Sequence, residues 1–468
     1  MLLSIERRLK EKHNIFYLQS INLYFLDTTD EKIKYAPMRF LYNVLLWIAA
    51  VPGLLFFFLK MLMTGKYRNS FLQKLGARQK HLLADIGPGP RIWIHAVSVG
   101  EVTAAAPVVA SLKAKRPEAR IIFSTSTETG QGMAQRLVAG ADAFIYFPLD
   151  LPFCVHRMLN LVRPDVFVLV ETELWPNFLA ACRKRGVHAL MVNGRISTRS
   201  FSRYRQTGFF WRRVLKNVAA AGMISDIDAS RMSAIGMDEE KINVLGNAKY
   251  DALAAMAAPA LQDDIARRFN VRSDEKFLVA GSTHPGEEEV VIGVYKELIA
   301  RYPEFRLIIV PRHIERTGDV VRLLSQAGLN DIITVAEMNN GRPRQNEKVI
   351  VVDVIGELFK IYSLATIVYC GGSLVPKGGQ NILEAAAWGK VIFYGPFMDD
   401  FSTEAALLED AGAGIRIRNP IELLENIARI LADPQDARKR GERGRAVVLA
   451  NRGAAERYAQ MVIKHLGF

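Results

Sequence analysis

Short apolar runs alternate with helical patterns from Arg91 almost to the end of the chain, and this alternation constrains the fold more than any other feature. Apolar runs bounded by polar residues are typical of buried strands, and a period of about 3.6 residues is typical of helices. Repetition of strand and helix predicts a mostly parallel sheet with helices on both faces. The predicted strands of the first series are Ile92–Ile94, Ile121–Ser124, Phe144–Phe147, Val166–Val170, Ala189–Val192, Ala220–Ile224 and Ile242–Gly246.

A second series of the same kind follows an alanine-rich and then charged segment at 250–275. Its predicted strands are Phe277–Ala280, Leu307–Val310, Ile350–Val352, Ile367–Tyr369, Val391–Phe393 and Ile415–Ile417. The chain of 468 residues is long enough for two such domains. We therefore predict an α/β fold of two Rossmann-like domains, residues 66–249 and 250–468, which face a cleft that suits one substrate per domain.

The N-terminal part of the chain has a different pattern. Residues 1–36 show no clean period, and their sequence assigns them no role. Residues 37–65 are predicted to be a membrane anchor, because Phe40–Leu59 carries one strongly polar side chain, Asn43, in about 20 residues, close to the length that spans a bilayer. Pro52-Gly53 leaves two membrane forms open, a kinked span or a hairpin within one leaflet. The alternative is a buried core helix, which the all-round hydrophobicity of the segment disfavours. The basic residues that follow favour a cytoplasmic position for the rest of the chain.

Composition excludes several classes of protein. The net charge of +13 favours an acidic partner, but no nucleic-acid motif is present, and we expect no nucleic-acid binding. The three cysteines are scattered, which argues against a disulfide framework or a metal site and favours a reducing compartment. Neither domain has a Gly-x-Gly-x-x-Gly turn after its first strand, and the chain lacks a P-loop, which disfavours nicotinamide enzymes and P-loop NTPases.

Candidate site residues follow the strands, where ligands bind in open α/β sheets. In the first domain Glu101 lies in the first turn of a helix, where we expect it to face outward as a general base. The alternative is an ordinary N-terminal acid that complements the helix dipole. Glu171 and Glu173 could hold a cation, orient a hydroxyl or stabilise positive charge on a sugar, although Glu173 is also compatible with an ordinary helix acid. Lys249 follows the last strand and could meet a phosphate or carboxylate.

The second domain has its own polar strand ends. Arg312 and His313 could hold a phosphate, although such a pair is also compatible with a solvated loop. Small residues at 281–283 could cradle an anion, and the glycines between 371 and 379 allow close approach of backbone to a ligand. Asn381 is predicted to cap the next helix, and Glu384 could bind ribose hydroxyls or belong to that cap.

Nine phrases, in this order, resemble the 3-deoxy-D-manno-octulosonic acid (Kdo) transferases of lipopolysaccharide synthesis. They are HAVSVGE, ETELWPN, NGRIS, GNAKYD, STHPGEE, VPRH, the GEL within 353–358, GGSL and NILEAAA. The resemblance covers the chain from about Tyr67 onward. It implies the GT-B glycosyltransferase fold and inverting transfer of Kdo from CMP-Kdo to a hydroxyl of the lipid A precursor, lipid IVA, at the cytoplasmic face of the cell inner membrane.

The resemblance also assigns roles to individual residues. Glu101 matches the general base, and Glu171 and Lys249 match residues that stabilise the transition state. The segments that match the family's CMP-binding residues are Pro311 and Arg312, Ile355, Gly356 and Glu357, and Asn381, Ile382, Leu383 and Glu384. The expected partners are CMP-Kdo, the lipid A precursor and the anionic surface of the inner membrane, with no cofactor and no metal. The number of Kdo units added stays open. The alternatives are another GT-B nucleotide-sugar transferase or epimerase with a different donor, and a membrane-tethered scaffold without turnover.

Overall fold

Two parallel seven-stranded sheets organise the protein in a computed structural model that describes residues 38–53, 68–76, 80–83 and 86–466. The first sheet has the strand order β3-β2-β1-β4-β5-β6-β7. Its strands are β1 Arg91–His95, β2 Arg120–Thr125, β3 Ala143–Tyr146, β4 Val166–Val170, β5 His188–Gly194, β6 Val218–Met223 and β7 Ile242–Val244. Neighbouring strands are parallel throughout, which confirms the prediction for this domain.

The second sheet has the order β10-β11-β9-β8-β12-β13-β14, again with parallel neighbours. Its strands are β8 Lys276–Thr283, β9 Phe305–Pro311, β10 Ile332–Thr334, β11 Val349–Val351, β12 Ile367–Cys370, β13 Val391–Tyr394 and β14 Gly414–Arg416. Sequence analysis missed β10, because a strand of three residues at the edge of a sheet leaves little apolar signal. The α/β class with two parallel sheets is otherwise confirmed.

Helices connect the strands and cover both faces of each sheet. In the first half they are α1 (38–53), α2 Arg68–Lys74, α3 Val99–Lys115, α4 Glu128–Leu137, α5 Pro152–Val162, α6 Pro176–Lys184, α7 Thr198–Gln206, α8 Gly208–Leu215 and α9 Asp226–Ala234. The others are α10 Lys249–Met256, α11 Pro259–Arg268, α12 Glu287–Ile299, α13 Thr317–Gln326, α14 Val335–Asn339, α15 Leu358–Tyr362, α16 Leu383–Ala387, α17 Ser402–Asp410, α18 Pro420–Ala432, α19 Pro434–Ala450 and α20 Ala454–Lys464. Short 3-10 turns occur at Lys80–Leu83, Glu239–Lys241, Ile314–Arg316 and Asp399–Phe401.

The chain forms two compact units, which divide between Leu245 and Gly246 and again between Arg457 and Tyr458. Sequence analysis set the domain boundary four residues later, at 249/250, and assigned the last segment to the second domain. In the structure that segment packs with the first unit: His188 contacts the backbone carbonyl of His465 at 3.1 Å.

Part of the N-terminal prediction falls on described residues. The tail at 1–36 lies outside them. Of the predicted anchor at 37–65, residues 38–53 are described and form α1, and residues 37 and 54–65 lie outside the described ranges. Within the described ranges we find no helix that combines the length and the apolar character needed to cross a bilayer.

Candidate active site

Each sheet has one place where the strand order reverses direction, and Glu101 and Glu171 follow the two strands that flank this place in the first sheet. In the first sheet this place lies between β1 and β4, and in the second it lies between β8 and β12. Chains that leave such neighbouring strands turn to opposite faces of the sheet and open a crevice at the carboxyl ends.

Glu101 follows β1 in the first turn of α3. Ser98 caps this helix by accepting a hydrogen bond from the Glu101 backbone N–H. The Glu101 carboxylate turns back and accepts hydrogen bonds from the Val97 N–H at 2.7 Å and the Ser98 hydroxyl at 2.8 Å. This reciprocal arrangement leaves the residue 6% exposed, so the expectation that Glu101 faces outward was wrong. The same contacts fix the position of its carboxylate.

Glu171 lies directly after β4, the strand beside β1. Its φ of +59° is in the left-handed region, and its backbone N–H donates to the Val192 carbonyl at 2.9 Å. A non-glycine residue there is uncommon and is found often at functional turns. The turn brings Glu171 into the electrostatic range of Glu101.

Glu101, Glu171 and Glu173 form a group of three interacting carboxylates. Burial raises the pKa of Glu101, and the charge of Glu171 adds to the effect, while the hydrogen bonds from Val97 and Ser98 oppose it. Burial, together with the charges of Glu101 and Glu171, raises the pKa of Glu173 to about 7. Near neutral pH Glu173 therefore carries less than its full negative charge. Perturbed carboxyl groups of this kind are typical of sites that transfer protons.

Lys249, the third predicted catalytic residue, begins α10 in the second unit. Its backbone N–H donates to the side-chain oxygen of Asn247 at 3.0 Å, which fixes the first turn of the helix. The structure therefore groups Glu101 with Glu171, and Lys249 belongs to a different unit.

The predicted donor-binding residues follow three strands of the second sheet, β11, β9 and β12, and β8 lies between β9 and β12. Pro311 ends β9, and the Arg312 N–H donates to the Thr283 carbonyl at the end of β8 at 2.9 Å. The Arg312 side chain is exposed. An exposed guanidinium at this edge is suited to a phosphate.

The segment after β11 presents Ile355, Gly356 and Glu357. Gly356 has a φ of +89°, a conformation that favours glycine, and Ile355 is exposed. Glu357 forms an ion pair with Arg268 at 3.1 Å. The segment offers backbone groups and an apolar side chain to a ligand.

After β12, Ile382 and Leu383 are buried in the core, so only their backbone could contact a ligand. Asn381 accepts from the Leu383 N–H at 3.2 Å and donates to Glu384 at 3.2 Å. The residue that caps α16 is Ile382, one position beyond the Asn381 that was predicted to do so. Burial raises the pKa of Glu384 to about 7. Glu384 therefore has an unusual proton affinity at a position that the resemblance assigns to CMP binding.

Glu287 was missed as a site residue in the sequence. Its buried carboxylate accepts hydrogen bonds from the backbone of His284 at 3.0 Å and of Gly372 at 2.7 Å. Ser373 and Leu374 also donate to it, at 3.0 and 2.9 Å. One side chain thus ties the glycine-rich turn after β12 to the end of β8. The phrase STHPGEE was its only signal, and the partners are distant in sequence.

Within the described residues, no group of three or more His, Cys, Asp or Glu side chains is arranged to hold a metal ion. Three buried polar atoms near the end of β8 lack a hydrogen-bond partner, namely Thr283 Oγ1, His284 Nε2 and Glu288 Oε2. The interior of the protein next to the end of β8 therefore contains polar side-chain atoms.

Comparison with known proteins identifies relatives. A family model described as 3-deoxy-D-manno-octulosonic-acid transferase (kdotransferase) matches residues 68–252. A 3-deoxy-D-manno-octulosonic acid transferase of Haemophilus influenzae is 32% identical over 434 residues, which cover 92% of this chain and 99% of the relative. The enzyme of the same description from Chlamydia trachomatis is 27% identical over 393 residues, 83% of this chain and 88% of the relative.

Solved structures support the fold. A glycosyltransferase from Rickettsia africae superposes with a TM-score of 0.54 at 15% identity, covering 81% of this chain and 99% of that one. A UDP-GlcNAc 2-epimerase from Neisseria meningitidis gives 0.55 at 12% identity, with 80% and 99% covered. At such identities these similarities concern the fold alone, since one fold serves many activities.

Proposed function

This chain belongs to the family of 3-deoxy-D-manno-octulosonic acid (Kdo) transferases, and on that premise we propose that it moves Kdo from CMP-Kdo to a hydroxyl of the lipid A precursor, lipid IVA, with inversion. The observation that carries the proposal is the fixed, buried carboxylate of Glu101 at the β1–β4 crevice, next to Glu171.

Glu101 acts as the general base. The acceptor hydroxyl gives its proton to the Glu101 carboxylate while its oxygen bonds to the anomeric carbon of Kdo. The bond from that carbon to the phosphate oxygen of CMP breaks, and CMP leaves with the electron pair. Two hydrogen bonds hold the carboxylate without using all of its acceptor positions, so it can still accept from a substrate hydroxyl. Its raised pKa makes it a better proton acceptor than an ordinary glutamate.

The anomeric carbon gains positive charge as the donor bond breaks, and Glu171 is suited to stabilise it. On the donor side, Arg312 and the turn ordered by Glu287 hold the cytidylate and its departing phosphate. Lys249 offers a further positive charge to a phosphate or carboxylate. In this proposal the positive groups that stabilise the departing phosphate all come from the protein.

We place the enzyme at the cytoplasmic face of the inner membrane. The polar face of α1 packs on the first unit: Tyr42 donates to Asp150 at 2.9 Å, and Asn43 accepts from Asn177 at 2.7 Å. Apolar residues of the same helix are between 56% and 71% exposed; they are Phe40, Leu41, Leu45, Ile48 and Val51. A docked helix with an apolar stripe outward is suited to lie in the interface of a bilayer.

A transfer assay tests the proposal. Purified protein receives radiolabelled CMP-Kdo and lipid IVA, and the labelled lipid is separated and counted. Glu101→Gln keeps the size of the side chain and removes the base, so turnover falls by about 10²- to 10⁴-fold while the KM for CMP-Kdo stays within about twofold. Glu118→Gln, on an exposed turn just beyond α3, is the matched control and keeps wild-type turnover.

Two results would contradict the proposal in different ways. A Glu101→Gln variant with normal turnover excludes Glu101 as the base. A wild-type protein that is inactive with CMP-Kdo but active in a panel of UDP-sugars favours another nucleotide-sugar transferase or an epimerase.

A further inference from the structure

The positive charge of the protein is concentrated in one part of the first unit. Residues 174–225 contain ten lysines and arginines and no aspartate or glutamate, against a net charge of +13 for the whole chain. This segment runs from the loop after β4 to the start of α9 and includes the consecutive helices α7 and α8. Such a concentration creates a local field that the average composition conceals.

The helices α7 and α8 present this charge to solvent. No residue of α7 is buried. Four arginines on the two helices are exposed; they are Arg199, Arg203, Arg205 and Arg212. Phe209, at the junction of α7 and α8, is 67% exposed. We name the surface formed by these five residues the α7–α8 surface.

The helix α8, which carries part of this surface, contacts α1. The rings of Tyr42 and Phe210 lie 5.9 Å apart, and the Arg213 guanidinium contacts the sulfur of Met38 at 2.8 Å. The outward apolar stripe of α1 and the arginines of α7 and α8 thus belong to adjoining elements of one unit. An apolar stripe beside basic residues and one exposed aromatic is the composition of proteins that bind membrane interfaces.

The helix α7 also lies near one member of the carboxylate group. Tyr204 of α7 lies within the electrostatic range of Glu173, and burial followed by that charge raises the pKa of Tyr204. A membrane held at α7 and α8 would therefore lie close to the residues proposed to act on a lipid. The proximity of α7 to Glu173 suggests that the charged surface serves the active site as well as solubility.

We propose that the α7–α8 surface binds the anionic headgroups of a phospholipid bilayer, as an electrostatic contact separate from the apolar contact of α1. The inference rests on the proposed membrane location and adds the residues that bind the anionic lipid. Guanidinium groups bind headgroup phosphates through paired N–H donors, and Phe209 enters the interface between them. Occupation of the surface orients the first unit so that Glu101 and Glu171 are near the lipid plane.

Vesicle co-sedimentation tests the proposal with the full chain. One set of vesicles contains phosphatidylcholine only, and the other contains about 30% phosphatidylglycerol, which gives the surface potential on which the expected effect depends. The wild type binds the anionic vesicles more tightly, and added salt weakens that preference. The double variant Arg203→Gln/Arg205→Gln weakens binding to anionic vesicles by about tenfold or more and leaves binding to neutral vesicles unchanged.

The matched control is Arg438→Gln/Arg443→Gln on α19, which removes the same charge from exposed positions of the other unit. It keeps the wild-type preference for anionic vesicles. A second variant, Leu45→Ser/Ile48→Ser, changes only the apolar stripe of α1 and weakens binding to both kinds of vesicle. All these positions are exposed, so the substitutions remove no buried side chain.

The outcomes separate the two proposals. A wild type that binds neither kind of vesicle overturns the membrane location itself. A wild type that binds both kinds equally, or an arginine variant that matches the α19 control, overturns the α7–α8 surface and leaves the location intact. An arginine variant with normal vesicle binding but a raised KM for the acceptor in detergent micelles also overturns it, because the arginines would then bind phosphates of the acceptor itself.

Discussion

The carboxylate of Glu287 accepts a hydrogen bond from the hydroxyl of Tyr369 at 2.7 Å, inside the second unit. Tyr369 belongs to β12, whereas Glu287 begins α12, and both are buried. Together with the backbone donors of His284 and the glycine-rich turn, this contact satisfies the carboxylate with five hydrogen bonds. A buried charge is tolerated only when it is satisfied in this way, so this side chain determines the shape of the turn.

Glu287→Gln keeps the volume but turns an amide NH₂ toward N–H donors. We expect the free energy of unfolding to fall by about 2–4 kcal/mol, because several charge-assisted hydrogen bonds are lost at once. Urea unfolding followed by circular dichroism measures this change. Glu289→Gln, on the exposed side of the same helix turn, shifts it by no more than about 0.5 kcal/mol. Equal stabilities for the two variants would show that Glu287 does not support the turn.

The raised pKa of Glu173 predicts that the stability of the protein depends on pH. The pKa of this residue is about 7 in the folded protein, above the usual value of 4.5, so the folded state binds its proton more tightly than the unfolded state does. The residue therefore lowers stability progressively as pH rises from about 4.5 to 7. Glu173→Gln removes this loss, and we expect it to be more stable than the wild type by about 1–3 kcal/mol at pH 8 and little changed at pH 4.5. Thermal unfolding at the two pH values measures the difference, and a gain of the same size at both would refute it.

Arg312→Ala is expected to weaken the complex with CMP by about tenfold, because a guanidinium–phosphate contact at a strand end is lost. Isothermal titration calorimetry with CMP alone measures this effect without turnover. Arg322→Ala, at an exposed position of α13, is the control and leaves the affinity unchanged. An Arg312 variant with wild-type affinity would remove this residue from the nucleotide site.

The hydrogen bond from Tyr42 to Asp150 is expected to hold α1 on the first unit. Asp150, which burial gives a pKa of about 6, accepts from the Tyr42 hydroxyl and from the backbone of Asn177 and Phe178. Tyr42→Phe leaves the buried carboxylate one donor short, so we expect amide hydrogens of 38–53 to exchange about tenfold faster. Leu41→Ala, on the exposed stripe, is the control. Unchanged exchange in Tyr42→Phe would mean that other contacts hold the helix.

Much of the fold could be predicted, because most strands are buried on both faces and appear as continuous apolar runs. The run Val166–Val170 is an example: every residue of it is buried, as in β4. The strand Ile332–Thr334 has only three residues at the edge of its sheet, and neither length nor burial distinguishes it from a loop in the sequence.

The positions of the candidate site residues along the strands could also be predicted, but their environment could not. The sequence places Glu101 in a first helical turn and leaves open where its carboxylate points, and the hydrogen bonds to Val97 and Ser98 decide this. Glu287 lay in a phrase already noted, yet its partners at 369–374 are brought to it only by the pairing of β8 with β12. Contacts across a sheet depend on tertiary structure, which periodicity does not report.

The last helix has a practical consequence for dissecting this enzyme. Residues from Tyr458 onward complete the first unit, where Tyr458 packs against Gly222 of β6 and is fully buried. Severing the polypeptide after Leu245 would leave the upstream fragment with bare apolar surface, prone to aggregate however stable its own sheet is. Preparing the two halves separately would call for a permuted gene that grafts 458–466 back onto the upstream fragment.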